Sequence, residues 1–412
     1  MKRGLWATGV LLFVLFLSGC GARSELERQA FVVTIGLDKG EEEHQIEVTF
    51  QVANPQVNTT QGAEAQNEKP SDTFTITADD LLSAKELAQS SLSREMTFSH
   101  LQTIIVGEDL AQDNLFHRII SSAMIDPEMR REAIMMVSKE PAQEFINANR
   151  PTMETRPHKY YEFMEDSWRE TGYVPISNLN IFFQRTDGEL FLAAYATAQR
   201  DPKHGVDEDA FLAGEVPQKG GDPVQIIGSA VMHSGKMVGK LNGEETRIAQ
   251  LLRYHNLIKT MTASFPDPNN EEYRITVIMN QKSHTRIKVD TDQSPLKIEV
   301  EVPVRVQINS NLSLVDYTTS KKKRDHLKKS IEKDMEKASD SLIDKLQEEF
   351  VGEPFVWYAH ARKDFWTAKD YVDYNWGQKF KDAQVGISYD VTIINYGEQL
   401  RPPTLEKLDK ED

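Results

Sequence analysis

QIIGSAVMHSGKMVGKLNGEETRIAQLLRYHN, residues 225–256, changes its apolar period within one short stretch, and that change sets the fold class. Ile226 to Met232 and Met237 to Leu241 are apolar-rich runs on either side of Ser234-Gly235, the arrangement of two strands joined by a tight turn. Asn242 then stands three residues before Glu245, the spacing at which two side chains and two backbone N–H groups cap a helix start reciprocally. Ile248, Leu251 and Leu252 supply the buried face of that helix. A hairpin leading straight into a capped helix points to an α+β chain of mixed β-sheets flanked by helices.

Toward the C-terminus, "FPDPNN" at 265–270 marks a seam. "YRITVIMNQKSHTRIKVDT" reads as a hairpin, and "KIEVEVPVRVQIN" alternates through Ile298, Val300, Val302, Val304, Val306 and Ile308. Pro303 lacks an N–H and so predicts an edge strand or a bulge. Leu327, Ile331, Met335, Ala338, Leu342, Leu346 and Phe350 recur at helical spacing and predict a long helix over 321–350. Lys321 to Arg324 form a basic cluster at its start. Such a run is read as a solvated face; contact with anionic lipid headgroups is the other reading. A strand from Val385 to Ile393 closes the second sheet.

Toward the N-terminus, residues 201–224 hold prolines and glycines and read as a linker or surface loop. "FVVTIGLDKGEEEHQIEVTFQVAN" predicts a hairpin, Asn54 to Thr73 a loop, and Thr77 through Ser93 a helix capped by Thr77 or Asp79. "LQTIIVGEDL" is a buried strand leading to a helix near Leu110 to Met124. "EAIMMVSKE" is a strand, "AQEFINAN" a short helix, and "FLAAYATAQ" a strand closing the first domain. Tyr160 to Trp168 has helical spacing, which Val174-Pro175 ends. The expected division is two to three domains after a leader: 1–19 signal peptide, 20–200 N-terminal α/β domain, 201–224 linker, 225–264 middle unit of hairpin and capped helix, 265–400 C-terminal α+β domain, 401–412 tail.

The leader has its own grammar. Lys2 and Arg3 precede an apolar run from Leu5 to Leu17, which is shorter than the roughly 20 residues a bilayer-spanning helix needs. Leu17-Ser18-Gly19-Cys20 then resembles a bacterial lipobox, whose cysteine takes a diacylglyceryl group by thioether formation before cleavage just ahead of it. Stable anchoring generally takes two acyl chains, and a diacylglyceryl group has two. Cys20 is the one cysteine, so no intramolecular disulfide is available. With a net charge of −16, the chain is ill suited to nucleic acid, and the lipid rather than charge would hold it at the membrane. Charged residues at 27% and apolar ones at 39% suit a folded body.

The sequence offers little catalytic chemistry. Ten histidines lie without HExxH spacing or a cysteine partner. "GSAVMHSGKM" fails as a phosphate loop because Gly228 and Gly235 are too far apart and Met237 stands where Ser or Thr would hold magnesium. Ser234 lacks the setting of a nucleophile elbow, since Met232 lies two before it. Asp290 and Asp292 read as solvated turn residues, and His100 as a hydrogen-bonded structural histidine. Trp357, Trp366, Trp376, Tyr358, Tyr371 and Tyr374 concentrate aromatics that could build a recognition surface or pack helices on the sheet.

Taken together, the lipobox, "RSELERQAFVVTIGLDKGEE", "LSREMTFSHLQTIIVGEDLA", "DPEMRREAIMMVSKEPAQEFI" and above all "GSAVMHSGKMVGKLNGEETR" resemble the Ger(x)C family, the C-type lipoprotein subunit of spore germinant receptors. Lys236, Gly239, Leu241, Glu245 and Thr246 stand where that pattern favours them. The resemblance implies a three-domain α+β body without enzymatic activity or cofactor. It implies A-type and B-type membrane subunits as partners, at the inner membrane of a dormant spore, in nutrient-triggered germination. Of functional residues only Cys20 carries over. The competing expectation is an extracytoplasmic solute-binding lipoprotein that captures a small nutrient in a cleft between domains. A surface hydrolase would need a nucleophile and base that the sequence does not supply.

Overall fold

The computed structural model describes residues 28–53, 71–154, 156–185, 189–205, 209–256 and 258–396. The signal peptide, Cys20, the tail and most of the loop expected from Asn54 to Thr73 lie outside them.

The first sheet is built from β1 (Gln29–Lys39), β2 (Ile46–Ala53), β3 (Ser71–Ala78), β4 (Glu95–Thr97), β5 (Thr103–Gly107), β6 (Ile134–Ser138), β7 (Phe191–Thr197), β8 (Gln225–His233) and β9 (Lys236–Leu241). Its order is β3-β2-β1-β5-β6-β7-β8-β9, with β4 beside the start of β1. The central strands β1, β5, β6 and β7 are parallel, and antiparallel strands flank them on both sides. Parallel strands covered on both faces need apolar side chains in both phases, which is why TIIVG and IMMVS read as unbroken runs. Met135 and Val137 enter one core with α1 (Leu81–Gln89), α3 (Asn114–Ala123) and α6 (Leu179–Gln184). Met136 and Ile134 enter the opposite core with α4 (Ala142–Ala148) and α5 (Pro157–Thr171).

Three local readings differ from the structure here. Ser71–Ala78 is a strand, where the sequence pattern suggested the end of a loop and the first turn of a helix. The helix starts after it, capped by Asp80, whose carboxylate accepts the Ser83 N–H at 2.8 Å. The helix expected near Leu110 to Met124 is two pieces, α2 (Glu108–Ala111) and α3, because Asp113 accepts the Leu115 N–H and restarts it.

The hairpin at 225–241 forms as the sequence predicts, with Met232 opposite Met237 and Ser234-Gly235 at the turn. Both turn residues have positive φ, 49° and 83°, the left-handed pair that a two-residue hairpin loop demands. Its placement corrects the reading of 225–264 as a middle unit. β8 pairs with β7, so the hairpin extends the first sheet, while α7 (Gly243–Leu251) packs into the core shared with the second and Met261 onward joins that second sheet.

That second sheet contains β10 (Met261–Pro266), β11 (Arg274–Gln281), β12 (Arg286–Asp290), β13 (Lys297–Asn311) and β14 (Gln384–Asn395). α8 (Lys321–Glu349) buries Leu327, Ile331, Met335, Leu342 and Leu346 in the core it shares with the sheet. α9 (Tyr358–Ala361), α10 (Ala368–Tyr374) and α11 (Trp376–Lys381) fill the connection back to β14. β11 and β12 are not a hairpin. Both pair antiparallel with β13, one after the other on the same side, with 282–285 as an interruption between them. Pro303 accordingly sits in an inner strand, flanked by β14 on its other side. It faces the interruption, where its carbonyl accepts the Lys282 N–H at 2.9 Å and no ladder bond is asked of its nitrogen.

Candidate functional site: the joint between the two sheets

The polar residues of "GKLNGEETR" converge where the first sheet meets the second. Asn242 accepts the Glu245 N–H at 2.9 Å, and Glu245 accepts the Asn242 N–H at 2.8 Å, completing the capping box. Glu245 also receives the Lys345 ammonium from α8 at 2.9 and 3.0 Å. Lys345 reaches on to the Lys240 carbonyl at 3.2 Å, so one lysine ties α8 to both β9 and α7. Thr246 is fully buried, its hydroxyl 2.6 Å from that of Ser229 on β8. Leu241 is buried beside them. At Gly239 a Cβ would stand 2.6 Å from the ring of Phe350, so glycine is what lets the end of α8 close on β9.

Arg247 is the centre of this joint. Only 3% exposed, it donates Nε–H to the Thr171 carbonyl at 2.9 Å. One terminal nitrogen reaches Asp209 at 2.6 Å and the Thr262 carbonyl at 2.9 Å. Its guanidinium lies 3.5 Å above the ring of Tyr173, whose hydroxyl donates to Asp209 at 2.9 Å. A planar fork of donors over an aromatic face is what arginine supplies and lysine cannot. The four partners come from the end of α5, the 209–215 loop and β10, so residues expected in a linker instead pack into the joint.

A second buried polar group lies near the end of α7. Glu353, 1% exposed, accepts the Tyr358 N–H at 2.9 Å. Burial pushes its carboxyl above the usual range, against the pull of that bond and of the Arg185 guanidinium. Burial, and then the nearby Arg185, lowers Arg253 to about 10. Trp357 donates its indole N–H to the Leu252 carbonyl at 2.9 Å, fixing the end of the helix to the second half.

Beside Arg247 the two halves leave a cleft of about 440 Å³. Met261, Phe265, Met279 and Leu342 give it an apolar floor, while Asp334, Lys337 and Arg274 stand among its charged walls. Burial raises the Asp334 carboxyl above its ordinary value against the opposing lysines.

The residues that stood out in the sequence are scattered over the rest of the body. His100 lies at the surface, 3.0 Å from the Ser99 hydroxyl and edge-on to Phe31. Asp290 accepts from the Gln293 amide at a strand end, as a turn carboxylate does. Trp357 and Trp376 are core residues, Tyr358, Tyr371 and Tyr374 are half-buried, and Trp366 is 100% exposed. Among the described residues no group of three His, Cys, Asp or Glu side chains is placed to hold a metal ion. Arg247, Asp209, Tyr173 and Glu353 were not legible in the sequence as members of a site. The one signal for Arg247 is its place between Thr246 and Ile248 in a helix that is buried nearly all round.

Two family models match the chain: the spore germination protein N-terminal domain over residues 22–197, and the spore germination B3/GerAC-like C-terminal region over 227–397. The chain belongs to the Ger(x)C family of spore germination proteins. Spore germination protein B3 of Bacillus subtilis (strain 168) is 22% identical over 394 residues, covering 94% of this chain and 97% of the relative. Spore germination protein KC of the same organism is 24% identical over 184 residues, 44% of each chain. The crystal structure of the GerBC protein superposes with a TM-score of 0.48 at 18% identity, covering 87% of this chain and 96% of that one. In this Ger(x)C chain the gap between the two matched regions falls between β7 and β8, inside the first sheet.

Proposed function

We propose that this Ger(x)C protein is the lipid-anchored subunit of a spore germinant receptor, tethered through a diacylglyceryl group on Cys20 and acting by contact with A-type and B-type membrane subunits rather than by catalysis. The observation that carries the reading is the use made of the pattern residues. Gly239 admits Phe350 against β9, Leu241 and Thr246 are buried, and Glu245 takes the Lys345 ammonium from α8, so these four lie where the halves meet, while Lys236 stands at the hairpin turn. A body whose most distinctive residues fix the mutual orientation of its halves suits rigid docking, where preorganisation lowers the entropic cost of binding. The test is Cys20→Ala. The variant is expected to fold, to shift from the membrane to the soluble fraction, and to stop co-purifying with the two membrane subunits; normal retention at the membrane would overturn the anchor.

The cleft beside Arg247 favours a second reading, a subunit that captures a small nutrient itself. An apolar floor with a few convergent charged groups is the usual make-up of a small-molecule site. Calorimetry of the chain with candidate nutrients decides: heat of binding that Met261→Trp abolishes would support capture, and its absence would leave the docking reading alone.

A further inference from the structure

The second sheet and α8 have two ends of unlike chemistry. α8 is 29 residues long, so they stand about 40 Å apart. At one end β13 and β14 finish and α8 begins. Here Lys321, Lys322 and Lys323 are exposed, with Arg324, Lys328 and Lys329 in the turns that follow. This is the positive pole of the helix dipole, where carboxylates stabilise and cations do not. The first turn nevertheless has no acidic residue and the last turn no basic one. Helix stability therefore does not account for the lysines, and they are concentrated in a chain of net charge −16. Among the described residues Lys321, Lys322, Lys323 and Lys329 enter no ion pair, whereas Lys328 meets Glu332 and Asp390. Of the carboxylates near this end, Asp316 is taken up by Thr318 and Thr319, Asp267 by Ser313 and Tyr317, and Glu332 and Asp390 by Lys328, while Glu271, Glu272 and Asp325 are exposed.

A second observation is independent of charge. Leu312, just beyond β13, is 65% exposed, and Ile394, near the end of β14, is 54% exposed. Tyr396, two residues after Ile394, holds its ring 5.7 Å from the Arg324 guanidinium, and Arg324 also donates to the Tyr317 and Thr318 carbonyls in the loop that follows Leu312, so the ends of both strands meet the start of α8.

We propose that this end of the second sheet docks on an anionic lipid bilayer, with the lysines at the phosphate headgroups and Leu312 and Ile394 in the interfacial layer. Cations flanking exposed aliphatic side chains match a surface that is charged outside and apolar beneath. An acidic protein would satisfy the lysines but gives no reason for the aliphatic pair. The proposal rests on the anchored reading, since a tether at Cys20 leaves at most about 30 Å of chain before β1 and so keeps the body near the headgroups.

The test uses the acylated full chain in vesicles of phosphatidylcholine, with or without about one third phosphatidylglycerol, and reads lysine acetylation by mass spectrometry. Labelling of Lys321, Lys322 and Lys323 is expected to fall at least about fivefold on the anionic vesicles and to recover in about 0.5 M salt. Lys288, exposed at the far end, is expected to label equally on both. The variant K321E/K322E/K323E is expected to lose the protection of Lys329 while keeping or raising its melting temperature, because carboxylates suit a helix start. A purely structural role for the lysines would lower that temperature. Equal labelling on the two vesicles overturns the proposal. Protection already present without vesicles also overturns it, since residues 397–412 or another protein would then cover the patch. Quenching of Trp366 by brominated lipid would place the opposite end on the bilayer instead. Retention of the chain through a salt wash reports the acyl anchor separately, so loss of the anchor and failure of the patch give different results.

Discussion

At Gly239 a single missing carbon decides how closely α8 approaches β9. Gly239→Ala puts a methyl group against the Phe350 ring, which is 5% exposed and cannot swing away into solvent. The expected cost is about 1–3 kcal/mol in urea unfolding, partly recovered when Phe350→Leu is added. Arg247 carries more. Arg247→Ala takes the cationic partner from Asp209, leaving it the Tyr173 hydroxyl, and removes the donors to the carbonyls of Thr171 and Thr262; it is expected to cost about 3 kcal/mol or more by the same measurement. Arg247→Lys should recover only part, lacking the fork and the stacking on Tyr173. The neighbouring cap pair was legible because Asn242 and Glu245 are three residues apart and meet locally. Arg247 was not, because an arginine in an amphipathic helix reads as solvent-facing, and its partners lie 76, 38 and 15 positions away.

Among the elements, those with a strong local period were readable and those defined by a distant neighbour were not. α8 and β13 announce themselves by spacing alone. β3 offers only Phe74 and Ile76 between threonines, and it becomes a strand because β2 supplies eight register partners from Ile46 to Ala53. Lys282 to His284 resemble a hairpin turn, yet β13 is long enough to hold β11 and β12 in line. The outer edge of β14 has a further device. The N–H groups of Val391 and Tyr389 donate to Glu332 and Glu336 of α8 at 3.1 and 3.4 Å. Helix carboxylates thus occupy donors that a foreign strand would seek. Glu332→Ala with Glu336→Ala is expected to increase self-association, seen as concentration-dependent light scattering at an unchanged fold. The loop around α9 gives a pH dependence. Burial, then Lys363, lowers His360 below its ordinary 6.5. The folded chain therefore holds that proton more weakly than the unfolded one. The His360 contribution to stability is fully present above about pH 6.5 and declines as the pH drops through that value toward the lower folded one. His360→Gln should flatten the difference between urea midpoints at about pH 7 and pH 5.

On the scale of the whole molecule, one core runs through the joint. Leu192, Val231 and Leu241 of the first sheet share it with Ile298, Val302 and Leu346 of the second half. Trp168 lies in the far core of the first sheet, and Trp357 in the shared one. Unfolding followed at Trp168 and at Trp357, each kept as the sole probe, is expected to give coincident midpoints; two separated transitions would show the halves to be independent. The α+β class was legible from the hairpin and capped helix, but their ownership was not, since no local pattern tells which sheet a hairpin joins. That ownership bears on any attempt to express the halves singly. Scissors placed at the gap between the matched family regions, after Thr197, would tear β8 and β9 from the sheet and leave β7 with a raw flank. Severing the chain between Leu252 and Met261 would hand the hairpin to its own sheet, at the cost of sending α7 away from the core it completes, so either fragment inherits a wound.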